Sequence, residues 1–298
     1  MARPVVFVLA SVYFAGLGFG QDSSKVPLSF PGEQKTVHSG RGGQRGYGHQ
    51  GITKGDRHWF LFGTDKICRY ETTDFTADQA TLKVKNEAPF AHADFKETGI
   101  NHLGAPHHHE GRVYTFVKTP NETPFDKAVM RLIWFSADDL SYKKGSFLDL
   151  AIPPDDDGNH LVVAGGPHIV GDMFFAAMTK KVDGKPVRMH EIGRFSLKAG
   201  KYLGAVQLDY WYVRPQALVV DEERNFYVME TRGHLKKFSP SGEYLGTVFE
   251  GAVPAIYEGF SLDAETKKAT VSITKGSRDH GEEGRGIFIV GIGLKNGE

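Results

Sequence analysis

The chain has 298 residues, with 36 basic and 36 acidic side chains, 13 histidines, 36 glycines and one cysteine. The charge balance argues against the clustered positive field that a nucleic-acid footprint needs. Lone Cys68 excludes an internal disulfide, yet a chain this long buries a large core without staples.

The N-terminus reads as a targeting segment. Met1-Ala2-Arg3 opens it, an apolar stretch runs from Pro4 to Phe19, and Gly18-Phe19-Gly20 sets small residues two apart before Gln21-Asp22-Ser23. This is the pattern of a secretory signal peptide over residues 1–20, cleaved after Gly20, and the stretch is short for a membrane span. The expected location is secreted or periplasmic, with no membrane contact after cleavage. Residues 21–298 are read as one domain.

Next come one strand-like run, Val26-Pro27-Leu28-Ser29-Phe30, and a Gly/Arg-rich loop over residues 39–46. A degenerate repeat follows, in which a polar residue stands beside a small one. It reads His49-Gln50-Gly51-Ile52, His102-Leu103-Gly104-Ala105, Pro167-His168-Ile169-Val170, Pro215-Gln216-Ala217-Leu218 and Tyr257-Glu258-Gly259-Phe260, at spacings of 42 to 65 residues. After each comes a polar turn and a short β-rich run, such as His58-Trp59-Phe60-Leu61-Phe62 or Asn225-Phe226-Tyr227-Val228-Met229. Third strands are expected at Lys66-Ile67-Cys68-Arg69-Tyr70, Arg131-Leu132-Ile133-Trp134-Phe135, Glu191-Ile192-Gly193-Arg194-Phe195 and His234-Leu235-Lys236-Lys237-Phe238. Two copies of a turn followed by Tyr-Leu-Gly, at Tyr202-Leu203-Gly204 and Tyr244-Leu245-Gly246, mark fourth strands.

A repeat of this length made only of short strands indicates propeller blades. The last unit lacks a fourth strand, which Val26–Phe30 or Gln34–His38 can supply by ring closure. The expected fold is an all-β, single-domain β-propeller of five blades of four strands, closed by an N-terminal strand, with almost no helix. A sixth blade would fit only if the 65-residue unit hides one.

In such a ring the openings of the innermost strands face one channel. The repeat alignment puts His49, Gln50, His102, His168, Arg214, Gln216, Tyr257 and Glu258 there. Imidazoles beside a carboxylate suit a divalent metal ion, zinc or manganese rather than calcium, which prefers oxygen ligands. The expected metal ligands are His49, His102 and His168. His49, Glu258 and Tyr257 are the expected catalytic groups, and Arg214, Gln216 and Gln50 the substrate-binding ones. Arg214 can hold a carboxylate through two parallel bonds.

Three other segments carry polar groups. Adjacent histidines in His107-His108-His109 point to opposite faces if the segment is extended, so all three cannot ligate one ion. Asp155-Asp156-Asp157-Gly158-Asn159 lacks the spacing of an EF-hand loop and reads as a solvated turn. Residues 275–286 are long enough to overhang the channel.

The repeat, opened by a polar-small pair and closed by a turn with Tyr-Leu-Gly, resembles the broad class of five- to six-bladed propellers. That class includes NHL-type and gluconolactonase-like proteins and five-bladed glycan-active enzymes. The resemblance is architectural and covers residues 26–294. It implies, for the gluconolactonase-like members, a channel metal held by carboxylate and amide oxygens, whereas the ring here is rich in histidine.

The expected function is a metal-assisted hydrolase or lyase acting on an extracellular carbohydrate or uronate-like substrate. The alternative is a non-catalytic module that binds a glycan or a protein at the same mouth, and the expected partner in either case is an extracellular glycan or small molecule.

Overall fold

The computed structural model describes residues 34–39, 50–56, 58–71, 81–120, 123–182, 184–250, 255–263, 268–275 and 286–291. The signal-peptide residues, Val26–Phe30, His49 and residues 276–285 lie outside these.

The first strand, β1 (Gln34–Ser39), is set aside by the chain until the end. The next four, β2 (Gly51–Lys54), β3 (His58–Phe62), β4 (Lys66–Glu71) and β5 (Thr81–Glu87), form an antiparallel sheet in that order. In the second sheet β6 (His102–Leu103) and β7 (His107–His109) both pair with β8 (Arg112–Lys118), followed by β9 (Met130–Ser136) and β10 (Phe147–Asp149). The third sheet starts with β11 (Val162–Val170) and β12 (Met173–Thr179). A side hairpin of β13 (Lys181–Val182) and β14 (Lys185–Pro186) precedes its last strands, β15 (Met189–Ser196) and β16 (Tyr202–Tyr212). The fourth holds β17 (Pro215–Val220), β18 (Phe226–Glu230), β19 (His234–Phe238) and β20 (Tyr244–Glu250). The last holds β21 (Ala255–Asp263), β22 (Lys268–Lys275) and β23 (Gly286–Gly291), and β1 completes it.

The chain is thus an all-β propeller. Four of its sheets have four strands, and the second has its inner strand broken into β6 and β7. The closing strand pairs antiparallel with β23, Gln34 opposite Val290. Among the described residues the helical content is short 3₁₀ turns, such as Pro89–Ala91 and Phe125–Lys127, and no helix is long and apolar enough to cross a membrane.

Burial follows position within a blade. The second strands β8, β12 and β18 are buried along almost their whole length, because neighbouring blades cover both faces. Outer strands β16 and β20 are mostly half-exposed. The core accordingly lies between blades. One cluster joins Phe60 and Phe62 of the first sheet to Val117, Ile133 and Phe135 of the second. A larger one runs from Tyr114 and Phe116 through Phe174 and Phe195 to Val228 and Phe238. Cys68 is buried as a small apolar residue.

The ring closes on small residues. A Cβ at Gly104 would lie 2.1 Å from the Gly165 carbonyl oxygen, one at Gly165 2.3 Å from that of Gln216, and one at Gly259 2.5 Å from Gly51 Cα. The small member of the repeat pair is therefore where adjacent inner strands touch. In the third sheet that member is Gly165, not a residue beside His168. Inner strand β11 begins at Val162 and its register breaks between Ala164 and His168, so the repeat alignment is displaced there.

Candidate functional site

The channel has two mouths. The first lies where the inner strands begin. It is a cavity of about 470 Å³ lined by Gln50, His102, Arg214 and Gln216, with Lys118, Lys181, Thr119 and Thr231, over an apolar wall that includes Phe116 and Met130.

Local structure holds these side chains. His102 Nε2 stands 3.1 Å from Gln50 Oε1, an oxygen that can only accept, so the ring donates from Nε2. Gln216 sits at a bulge between Pro215 and Ala217, where the extra residue re-aims a side chain. Its Nε2 donates to Thr231 Oγ1 at 2.7 Å, and that hydroxyl donates to the Arg214 carbonyl at 3.0 Å. Arg214 itself is exposed and adopts φ 48°, a left-handed conformation that a residue with a Cβ enters at a cost. The register of β21 breaks in the same way between Tyr257 and Gly259, so the backbone of Glu258 occupies a bulge like that of Gln216. The side chains of Tyr257 and Glu258, and all of His49, lie outside what is described.

The second mouth lies at the other end of the inner strands, in a cavity of about 440 Å³ that His107, His108, His168, Lys54, Asp56 and Asp221 help to line. His168 belongs here because of the displaced register of β11. The structure therefore brings Gln50, His102, Arg214 and Gln216 together and sets His168 apart from them. The physical reason is the Gly165-Gly166-Pro167 insertion, which spends three residues on the ring contact before the strand continues to His168.

At the second mouth His168 meets a different partner. Its ring centre is 4.2 Å from that of His107, at an interplanar angle of 53°. Burial pushes the His107 imidazole well below its usual range, with His168 and His109 adding to the effect. Burial, then the neighbouring His109, pushes His168 down to about 3. Both rings are therefore neutral in ordinary buffers. His108 points the other way and stacks on Phe60, ring centres 5.7 Å apart at 9°. Among the described residues no three His, Cys, Asp or Glu side chains stand, as placed, where they could hold a metal ion together.

Sequence reasoning missed the lysines of the first mouth, which sit outside the repeat pair, and the meeting of His107 with His168. Strand alternation in the triple histidine was the signal for the second, since it sends His107 and His109 to one face.

No family model matches the chain, and no curated protein matches it. Among solved structures it is similar to the GH43 protein BlXynB of Bacillus licheniformis, with 12% identity over 86% of this chain and a TM-score of 0.49. The chain spans about half, 54%, of that protein's length. It is also similar to the PQQ-bound aldose sugar dehydrogenase of Streptomyces coelicolor (12% identity, 82% of this chain and 79% of that one, TM-score 0.46). A third is the Pan2 WD40 domain of Neurospora crassa, at 7% identity over 80% of this chain and 62% of that one, TM-score 0.38. At such identities a likeness concerns architecture and nothing more.

Proposed function

We propose that this propeller binds a carboxylate-bearing sugar, a uronate-like unit of an extracellular glycan, at the first mouth. The observation that supports this is the Arg214 guanidinium, exposed at a cavity with an apolar wall. A concave site with low-dielectric walls focuses the field of such a charge on a ligand of the opposite sign. The Arg214 guanidinium fits a carboxylate through two parallel hydrogen bonds. Gln50, Gln216, Thr231 and His102 offer the donors and acceptors that sugar hydroxyls need, and Phe116 and Met130 offer apolar surface to the ring's C–H face.

Binding without turnover is the reading this geometry supports best. The metal-assisted hydrolase or lyase reading needs His102 and His168 at one point, and they line opposite mouths. Export through the residue 1–20 signal would bring the protein to such glycans.

The test is titration calorimetry with an oligogalacturonate and with its neutral galacto-oligosaccharide counterpart, against wild type and Arg214→Ala. The acidic ligand is expected to bind at least tenfold more tightly than the neutral one and to lose that advantage in the variant. Equal affinity for the two, or no binding of either by folded protein, rejects the proposal. Release of unsaturated or shortened sugars would restore the enzyme reading.

A further inference from the structure

The second mouth is chemically unlike the first. Strand alternation in β7 sends His107 and His109 toward the third sheet and His108 toward the first. Their cross-strand partners agree. His107 stands opposite Tyr114, which packs in the core shared with the third sheet, and His108 opposite Val113, which packs with the first. His168 arrives from β11 on the His107 side.

Three features of this meeting are those of a ligand set. The rings of His107 and His168 are 4.2 Å apart. Two imidazoles on one tetrahedral ion, each at about 2.0–2.1 Å, place their ring centres roughly 5 Å apart, so a small opening of the pair admits an ion. His168 Nδ1 is buried and has no hydrogen-bond partner among the described residues. A buried ring nitrogen without a partner in a polar cavity is a lone pair or an N–H awaiting a ligand. Finally, the Ile169 backbone stands where it can accept from the His107 ring. A histidine that donates its other ring N–H to a carbonyl has its orientation and tautomer fixed in the way metal-bound histidines do.

We propose that His107 and His168 ligate a borderline transition-metal ion of the zinc type, with His109 as third ligand. His109 lies one pleat along on the same face. Its Nε2 is now 3.8 Å from Glu110 Oε1, and its side chain is 22% exposed, so it turns inward without disturbing the core. The pattern is His-x-His on a strand plus one histidine from a neighbouring strand. The 440 Å³ cavity beside it leaves the fourth position open to water or a small ligand, as in sites that bind or activate one. This site is independent of sugar binding at the first mouth.

The experiment uses untagged, chelator-treated mature protein, titrated with zinc by calorimetry and with cobalt(II) by visible absorption. Wild type is expected to take one equivalent, with a tetrahedral cobalt spectrum. A His107→Ala/His168→Ala protein is expected to bind at least 100-fold more weakly, with an unchanged far-ultraviolet dichroism. Partly exposed His109→Ala, which leaves the buried pair in place, is expected to weaken binding about tenfold and serves if the double variant does not fold. His108→Ala and His102→Ala are expected to bind as wild type does. Overturning results are no zinc uptake by folded wild type, full uptake by the double variant, or a loss in His108→Ala or His102→Ala equal to that in the double variant.

Discussion

Lys236 and Glu230 form a 3.0 Å ion pair inside the fourth sheet, with side chains only 5% and 3% exposed. The pair joins blades as well as charges. Glu230 Oε1 also accepts the Val213 N–H at 2.6 Å, and Lys236 Nζ donates to the Trp211 carbonyl at 2.9 Å. Both backbone groups belong to the segment that leaves the third sheet. Glu230→Ala strands a buried ammonium and an amide, and is expected to cost about 3–5 kcal/mol. Lys236→Met leaves Glu230 with Val213 and His234 and is expected to cost less. Urea denaturation of the two variants measures the difference.

Asp155 organises a loop that its sequence presents as solvated. It accepts the Asn159 N–H at 2.7 Å and the Asp157 N–H at 3.1 Å, and it pairs with Lys180. The Lys180 contact, followed by the Asn159 bonds, lowers its carboxyl to about 2. The folded state therefore holds this group ionised where the unfolded chain, near 3.8, takes up a proton. The resulting stability is fully present above about pH 4 and is lost as pH falls toward 2. Asp155→Asn is expected to flatten that part of the stability curve, measured by thermal unfolding across the same range.

Ring closure makes a further demand. Gly165 combines φ 69° with a Cβ position 2.3 Å from a backbone oxygen, so Gly165→Ala is expected to cost roughly 2–4 kcal/mol. Gly145 has φ 79° but nothing within 4 Å of its Cβ position. Gly145→Ala is expected to cost only the backbone term, about 1–2 kcal/mol. Chemical denaturation of this pair separates ring contact from conformational strain.

Much of this architecture was legible in the sequence because each strand declares itself locally. The expected third strands lie within β4, β9, β15 and β19, and the two Tyr-Leu-Gly turns open β16 and β20. Closure by an N-terminal strand, Val26–Phe30 or Gln34–His38, followed from counting the strands of the last unit, and β1 over Gln34–Ser39 supplies it. The candidate sites were less legible, since they depend on register between distant segments. The third unit offers three small or ring-shaped residues, Gly165-Gly166-Pro167, where other units offer one. Only the approach of Gly165 to Gln216 shows which of them marks the ring contact. A shift of that kind carries His168 from one mouth to the other. Lys118 and Lys181 were invisible for another reason, since they reach the first mouth from the second strand of one blade and a side hairpin of the next.

Arg214 holds φ 48° immediately before Pro215, a place where the chain strongly prefers extended backbone. A non-glycine residue kept in such a conformation costs about 1–3 kcal/mol, and structures retain that strain where a side chain has work to do. Thr231 holds the conformation from outside, giving both its N–H and its hydroxyl to the Arg214 carbonyl. Arg214→Gly removes the Cβ conflict and the guanidinium together. It is expected to raise stability by about 1 kcal/mol, seen as a higher unfolding temperature, while abolishing the preference for an acidic sugar. Arg214→Ala keeps the conflict and is expected to lose the preference with no gain in stability. If Arg214→Gly is instead less stable than wild type, the strained backbone is held by contacts of the arginine side chain, and its role at the first mouth is structural.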